Sequence, residues 1–181
     1  MSQADRKNIL ISGAPGSGKT TLVRTIAHHL QDLNPAGFYT AEMRTGGVRQ
    51  GFELVSLCGE RKTLAHVRIK SPQRVGKYGV DVAGFEDFLA LLPPLDFRCS
   101  LFIIDEIGRM ETLSARFCTM ISDVLASDIP CIATIAHKGD HWIEEIKLRN
   151  DVEIITLNKE NRASCADRII PRVTTLVKGR R

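Results

Sequence analysis

No uninterrupted apolar stretch in these 181 residues approaches the ~20 needed to cross a bilayer, which argues against a helical membrane protein. No C-x-x-C pair occurs either. The five cysteines (Cys58, Cys99, Cys118, Cys131 and Cys165) are odd in number and scattered. Three of them lie in apolar runs, where a reduced cysteine behaves as a small hydrophobe. A disulfide framework and a structural zinc site are both disfavoured, and a cytoplasmic location is expected. Internal repeats, low-complexity linkers and coiled-coil signatures are lacking, so one domain spanning residues 1–181 and a monomer are expected. The first apolar run flows straight into a glycine loop, which reads as a core strand and not as a signal peptide. Nucleic acid is not indicated: no RNA- or DNA-binding motif accompanies the net charge of +4. Part of that charge is the tail "VKGRR", read as a solvated end.

What remains is an ordinary globular composition, 43% hydrophobic and 25% charged, with room for one well-buried core. Short apolar strands alternate with helical patterns. Strands are expected at Asn8 to Ser12, Ser100 to Asp105, "CIATIA" and "VEIITL". Helices are expected from Lys19 to about Leu33, Phe85 to Leu92, Ser114 to Leu125 and Trp142 to Leu148, with a terminal pair split near Pro171. "GFYTAEMRTGGVRQGFELVSLCGERKTLAHVRI" reads as an antiparallel ribbon, and "SPQRVGKYGVDVAG" as loop. Alternation of this kind means an α/β fold with a mainly parallel sheet and helices on both faces. Ligands bind such sheets beyond the carboxyl ends of the strands. Ser12, Asp105, His137 and Asn158 fall at or just past those ends.

"LISGAPGSGKTTL" places Gly13, Gly18, Lys19 and Thr20 at the spacing G-x-x-x-x-G-K-[ST], between a strand and a helix. Glycines let successive N–H groups surround a phosphate chain, and the helix N-terminus adds partial positive charge. Lys19 would bridge the β- and γ-phosphates, and the Thr20 hydroxyl would ligate Mg²⁺. A second element, "LFIIDEIGRME", ends a buried strand in Asp105, the carboxylate expected to help hold that Mg²⁺. Glu106, one residue on, can orient or deprotonate a water at the γ-phosphate. A salt bridge or helix cap is the plainer role for it. "DEIG" also fits the D-x-x-G pattern of GTPases, and "LNKEN" nearly fits N-K-x-D. Asn161 stands where an aspartate would accept two hydrogens from guanine, so strict guanine selectivity is not expected.

"GAPGSGKTTL", "GFYTAEMRTGGVRQGFELVSL", "VGKYGVDV", "DEIGRME" and "LNKENR" follow the order and spacing of the THEP1 family, which the chain resembles over nearly its whole length. These are small nucleoside-triphosphatases that include the cancer-related nucleoside-triphosphatase of animals. The resemblance implies a P-loop NTPase fold of the RecA-like type, with an additional strand between the P-loop strand and the strand of Asp105. It implies Mg²⁺ dependence and slow hydrolysis of ATP, GTP, CTP and UTP to the diphosphate. By position, it implies a nucleotide site made of Gly13, Ala14, Pro15, Gly16, Ser17, Gly18, Lys19 and Thr20. Phe102, Ile103, Ile104, Asp105, Glu106, Ile107, Gly108 and Arg109 complete it. Glu106, Lys19 and Asp105 would be catalytic, and Thr20 and Asp105 would hold the metal. Arg109 and Ala163 depart from the residues common in the family at their positions.

Other residues carry weaker claims. Glu42 and Arg44 could face the γ-phosphate or form a ribbon salt bridge, and Lys77 could cover the phosphates or be solvated. His137 could sense the γ-phosphate; paired with His141 it lacks a clear third zinc ligand. His28 and His29 read as partly exposed helix residues. Arg44, Arg109, Arg149 and Arg162 are all candidate arginine fingers. A kinase for a nucleoside, nucleotide or polynucleotide end is one alternative function, and a nucleotide-dependent switch is another.

Overall fold

The computed structural model of the protein describes residues 6–94 and 99–179, so the tail arginines Arg180 and Arg181 lie outside the described residues. Nine strands among them form one sheet: β1 (Asn8–Ser12), β2 (Pro35–Thr45), β3 (Val48–Ser56), β4 (Arg61–His66), β5 (Arg74–Val75), β6 (Tyr78–Val80), β7 (Leu101–Ile107), β8 (Cys131–Ile135) and β9 (Val152–Thr156). Their order across the sheet is β5-β6-β4-β3-β2-β7-β8-β1-β9. The half running from β2 to β9 is parallel, and β3 to β6 extend it as an antiparallel ribbon. β8 lies between β1 and β7 and is the additional central strand.

Five helices cover the faces: α1 (Lys19–His29), α2 (Val82–Ala90), α3 (Ala115–Ala126), α4 (His141–Lys147) and α5 (Arg162–Lys178). The strand alternation sorts the side chains. Ile9, Ile11, Leu101, Ile103 and Ile132 pack with Leu22 and Ile26 of α1 and with Ile169 and Val173 of α5. Leu10, Phe102, Ile104 and Ala133 point the other way, into a core shared with α2, α3 and α4. There the Phe38 ring lies 6.0 Å from Phe85, 5.6 Å from Phe88 and 6.3 Å from Phe117. Each such ring, fully buried, contributes roughly 1.5–3 kcal/mol by transfer from water.

Four local expectations are corrected. The terminal helix pair is one continuous helix, α5, with Pro171 inside it. Pro171 is exposed, while Cys165, Ile169, Val173 and Val177 form one buried stripe on both sides of it. Burial of that stripe outweighs a proline penalty of about 3 kcal/mol. The helix after the glycine loop ends at His29, short of Leu33; a 3₁₀ turn (Gln31–Leu33) follows, and Asn34 at φ 54° turns the chain into β2. The glycine-rich stretch thought to be loop contains the hairpin β5–β6. The helix beyond it starts at Val82, three residues before Phe85, because the Asp81 carboxylate caps it by accepting from the Gly84 N–H at 3.0 Å.

Candidate active site

The loop from Gly13 to Gly18 joins β1 to α1 at the carboxyl edge of the sheet. Gly18 has φ +100°, a left-handed conformation that a side chain would strain, and from there it starts α1. A Cβ on Gly13 would come within 2.7 Å of the Leu157 carbonyl oxygen, so the loop sits tight against the segment after β9. The first turn of α1 contains no acidic residue and no side chain caps it. Its N–H groups are left for an external anion. Lys19 Nζ donates to the Gly13 carbonyl at 3.0 Å and to that of Ala14 at 3.4 Å, spanning the loop. Ser17 Oγ is buried with no hydrogen-bond partner. The unpartnered Ser17 hydroxyl and the uncapped first turn of α1 suit an anionic ligand such as a phosphate.

Asp105 lies at the same edge and is only 1% exposed. Its Oδ1 accepts from Thr134 Oγ1 of β8 at 2.6 Å, and its Oδ2 from Thr40 Oγ1 of β2 at 3.2 Å. Two neighbouring strands thus fix both oxygens while lone pairs remain for another ligand. The donor set of a carboxylate and the Thr20 hydroxyl, both hard oxygen ligands, fits Mg²⁺.

Glu106 follows Asp105 through a cis peptide bond. Burial raises its pKa above the usual carboxylate value, the Asp105 charge adds to the rise, and the Lys19 ammonium opposes it. β1, which leads into the glycine loop, and β7 lie either side of β8, and the Lys19 charge acts on Glu106 across that edge. Beside Glu106 is a cavity of about 250 Å³, lined also by Thr40, Gly108, Arg109, Glu111 and Lys138. Glu111 is only 5% exposed. Burial first, then Glu106, pushes its carboxyl up to about 8.

The other sequence candidates separate. Phe102, Ile103, Ile104 and Ile107 are buried core residues that hold the strand, while Asp105, Glu106, Gly108 and Arg109 reach its edge. In the "NKEN" loop, Asn161 Oδ1 accepts from the Asn158 N–H at 2.9 Å and Asn161 Nδ2 donates to the Thr156 carbonyl at 2.8 Å. That loop is stapled to the glycine loop by Leu157 N–H donating to the Ser12 carbonyl at 2.7 Å. Glu42 forms ion pairs with Arg44 and Arg49 on the exposed ribbon, and the Arg49 guanidinium, ahead of Arg44, holds its carboxyl below the usual range. Lys77 lies 5.4 Å from the Tyr78 ring centre. The His137 carbonyl accepts from Lys147 Nζ, and His141 pairs with Glu145 at 3.3 Å. His28 and His29 close α1 and are exposed. Arg149 is bound to Asp151, which also accepts from Asn8 at the opposite, amino edge of the sheet. Arg162 opens α5 and is exposed. Of the four candidate arginines, Arg109 alone lines the Glu106 cavity.

Thr40, Thr134 and Glu111 escaped the sequence reading. Thr134 did leave a signal, as the one hydroxyl inside the apolar run "CIATIA".

Comparison with known proteins shows the family of the chain. The family model described as NTPase matches residues 8–170. A nucleoside-triphosphatase THEP1 of Thermotoga sp. (strain RQ2) is 44% identical over 163 residues, covering 90% of this chain and 92% of the relative. The human cancer-related nucleoside-triphosphatase is 34% identical, covering 97% and 98%. The crystal structure of THEP1 from Aquifex aeolicus superposes with a TM-score of 0.80 at 32% identity, over 92% of this chain and 98% of that one. The chain belongs to the THEP1 family of nucleoside-triphosphatases.

Proposed function

We propose that this protein is a Mg²⁺-dependent nucleoside-triphosphatase of broad base preference, in which Glu106 takes the proton from the attacking water. The supporting observation is the Lys19 charge acting on Glu106, which also lines an open cavity. The loop amides and the first turn of α1 bind the β- and γ-phosphates. Lys19 exchanges its two carbonyl partners for anionic oxygens. Thr20 and Asp105 would hold Mg²⁺, which supplies charge neutralisation to the phosphates. Thr134 and Thr40 keep Asp105 oriented for that task.

Water in the cavity attacks the γ-phosphorus. Its O–H bond breaks toward the Glu106 carboxylate as the bond from oxygen to phosphorus forms. The bond between the γ-phosphorus and the bridging oxygen breaks, and its electron pair leaves with the diphosphate. Arg109, on the wall of the same cavity, is the arginine best placed to meet charge developing there. Broad base preference follows from Asn161, whose amide is engaged at both ends within its own loop.

Incubation with γ-labelled ATP, GTP, CTP or UTP and Mg²⁺ tests the reading. All four are expected to release labelled inorganic phosphate at comparable rates, and release is expected to stop when the metal is chelated. Label transferred to an added nucleoside or polynucleotide end would make the protein a kinase.

A further inference from the structure

Glu111 is a buried carboxyl that the scheme above does not use. It opens the 3₁₀ turn Glu111–Leu113, where the chain curls back after β7. Its own N–H and that of Gly108 lie beside its carboxyl and oppose the rise in its pKa. A Cβ placed on Gly108 would lie 3.0 Å from Glu111 Oε2, 3.2 Å from Glu106 Cγ and 3.3 Å from Glu106 Cδ. The two side chains therefore flank the bare face of one glycine, and both line the same cavity.

Among the described residues, the charged groups that act on Glu111 include no cation. Glu106 and Asp105 of β7 face it, both acidic. Arg109 and Lys138 lie on the cavity wall with exposed side chains. On α3, Arg116 and Asp123 line a different cavity, beside Pro93 and Met120. Glu86 of α2 accepts from Ser114 Oγ at 2.8 Å. A carboxyl so buried and so surrounded is kept in its neutral form at pH 7, which makes it a hydrogen-bond donor. The strongest acceptor beside it is Glu106.

We propose that Glu111 is a positioning residue for hydrolysis, its acid O–H turned to the Glu106 carboxylate, directly or through one water, to hold that carboxylate toward the attacking water. This rests on the reading of Glu106 as the group that takes the proton. Gly108 then leaves room for the pair: a Cβ there would press on Glu111 Oε2 and on the Glu106 side chain. Ionisation of Glu111 at alkaline pH removes the donor and places a second negative charge against Glu106, so turnover falls.

The test measures kcat, KM and the affinity for a non-hydrolysable ATP analogue from pH 6 to 9.5 in wild type, Glu111→Ala, Glu111→Gln and Glu106→Gln. Glu111→Ala is expected to lower kcat by about 10–100-fold with analogue affinity retained, the usual scale for residues that orient a reacting group. Glu111→Gln, which keeps a donor and cannot ionise, should recover most of that loss at pH 7 and lose the alkaline fall seen in wild type. If Glu111→Ala fails to fold, shown by loss of analogue binding, the pH profile of Glu111→Gln decides alone. Wild type and Glu111→Gln with the same alkaline fall, or a kcat for folded Glu111→Ala within about twofold of wild type, would overturn the proposal. An inactive Glu106→Gln beside an unaffected Glu111→Ala removes only the role of Glu111; an active Glu106→Gln removes the reading beneath it.

Discussion

Thr134 Oγ1 on β8 donates to Asp105 Oδ1 on β7 across 2.6 Å, and both residues are buried. The central strand inserted between β1 and β7 thus does more than widen the sheet: it delivers the hydroxyl that orients the buried Asp105 carboxylate. Thr134→Val keeps the shape and removes the donor. It should cost about 1.5–3 kcal/mol in denaturant unfolding, the scale of a hydrogen bond to a charged group. Mg²⁺-dependent turnover should fall with it, because Thr40 alone then restrains Asp105.

The alkaline behaviour of Glu111 should be visible in stability as well as in rate. Burial and Glu106 push its carboxyl from 4.5 up to about 8 in the folded chain. The native state then holds this proton more tightly than the unfolded state does. Its stabilising contribution is complete below about 4.5 and is lost as pH rises to about 8. Unfolding free energy should decline through that window by up to about 1.4 kcal/mol per pH unit from this group. Denaturation of Glu111→Gln across the same range should show a flatter slope.

Installing the aspartate of the guanine-binding motif should not create selectivity for GTP. In Asn161→Asp the donor to the Thr156 carbonyl becomes a second acceptor, so the loop that abuts Gly13 loses a staple. The expected result is weaker binding of ATP, GTP, CTP and UTP alike, by about tenfold, the equivalent of 1.4 kcal/mol. Calorimetric titration with the four nucleotides measures this, and a selective gain for GTP would contradict it.

Pro171 interrupts the backbone ladder of α5 on its exposed side. Pro171→Ala restores an N–H donor there and should raise stability by about 1–3 kcal/mol, with turnover unchanged. Thermal unfolding with a phosphate-release assay checks both.

The split expected at Pro171 shows where sequence reasoning stops. A proline is a local signal, whereas the stripe Cys165, Ile169, Val173 and Val177 that overrides it acts only once packed on α1 and the sheet. The glycine loop between β1 and α1 and the buried strand that carries Asp105 were legible because they are written in neighbouring residues with fixed spacing. The order of the central strands came from the resemblance, and the side chains those strands bring together did not. Thr40 and Thr134 are ordinary strand threonines until β2, β7 and β8 lie side by side. Glu111, in "RMET", reads as a polar turn residue; only the chain curling back over Gly108 buries it.

The claim on which the account turns is that Glu106 takes a proton from water while the rest of the site binds the nucleotide. Glu106→Gln keeps the size of the side chain and removes its basicity. Phosphate release measured beside the affinity for a non-hydrolysable analogue should show binding preserved and kcat reduced by about 10²–10⁴-fold. A Glu106→Gln protein that binds the analogue and releases phosphate at the wild-type rate would contradict the account.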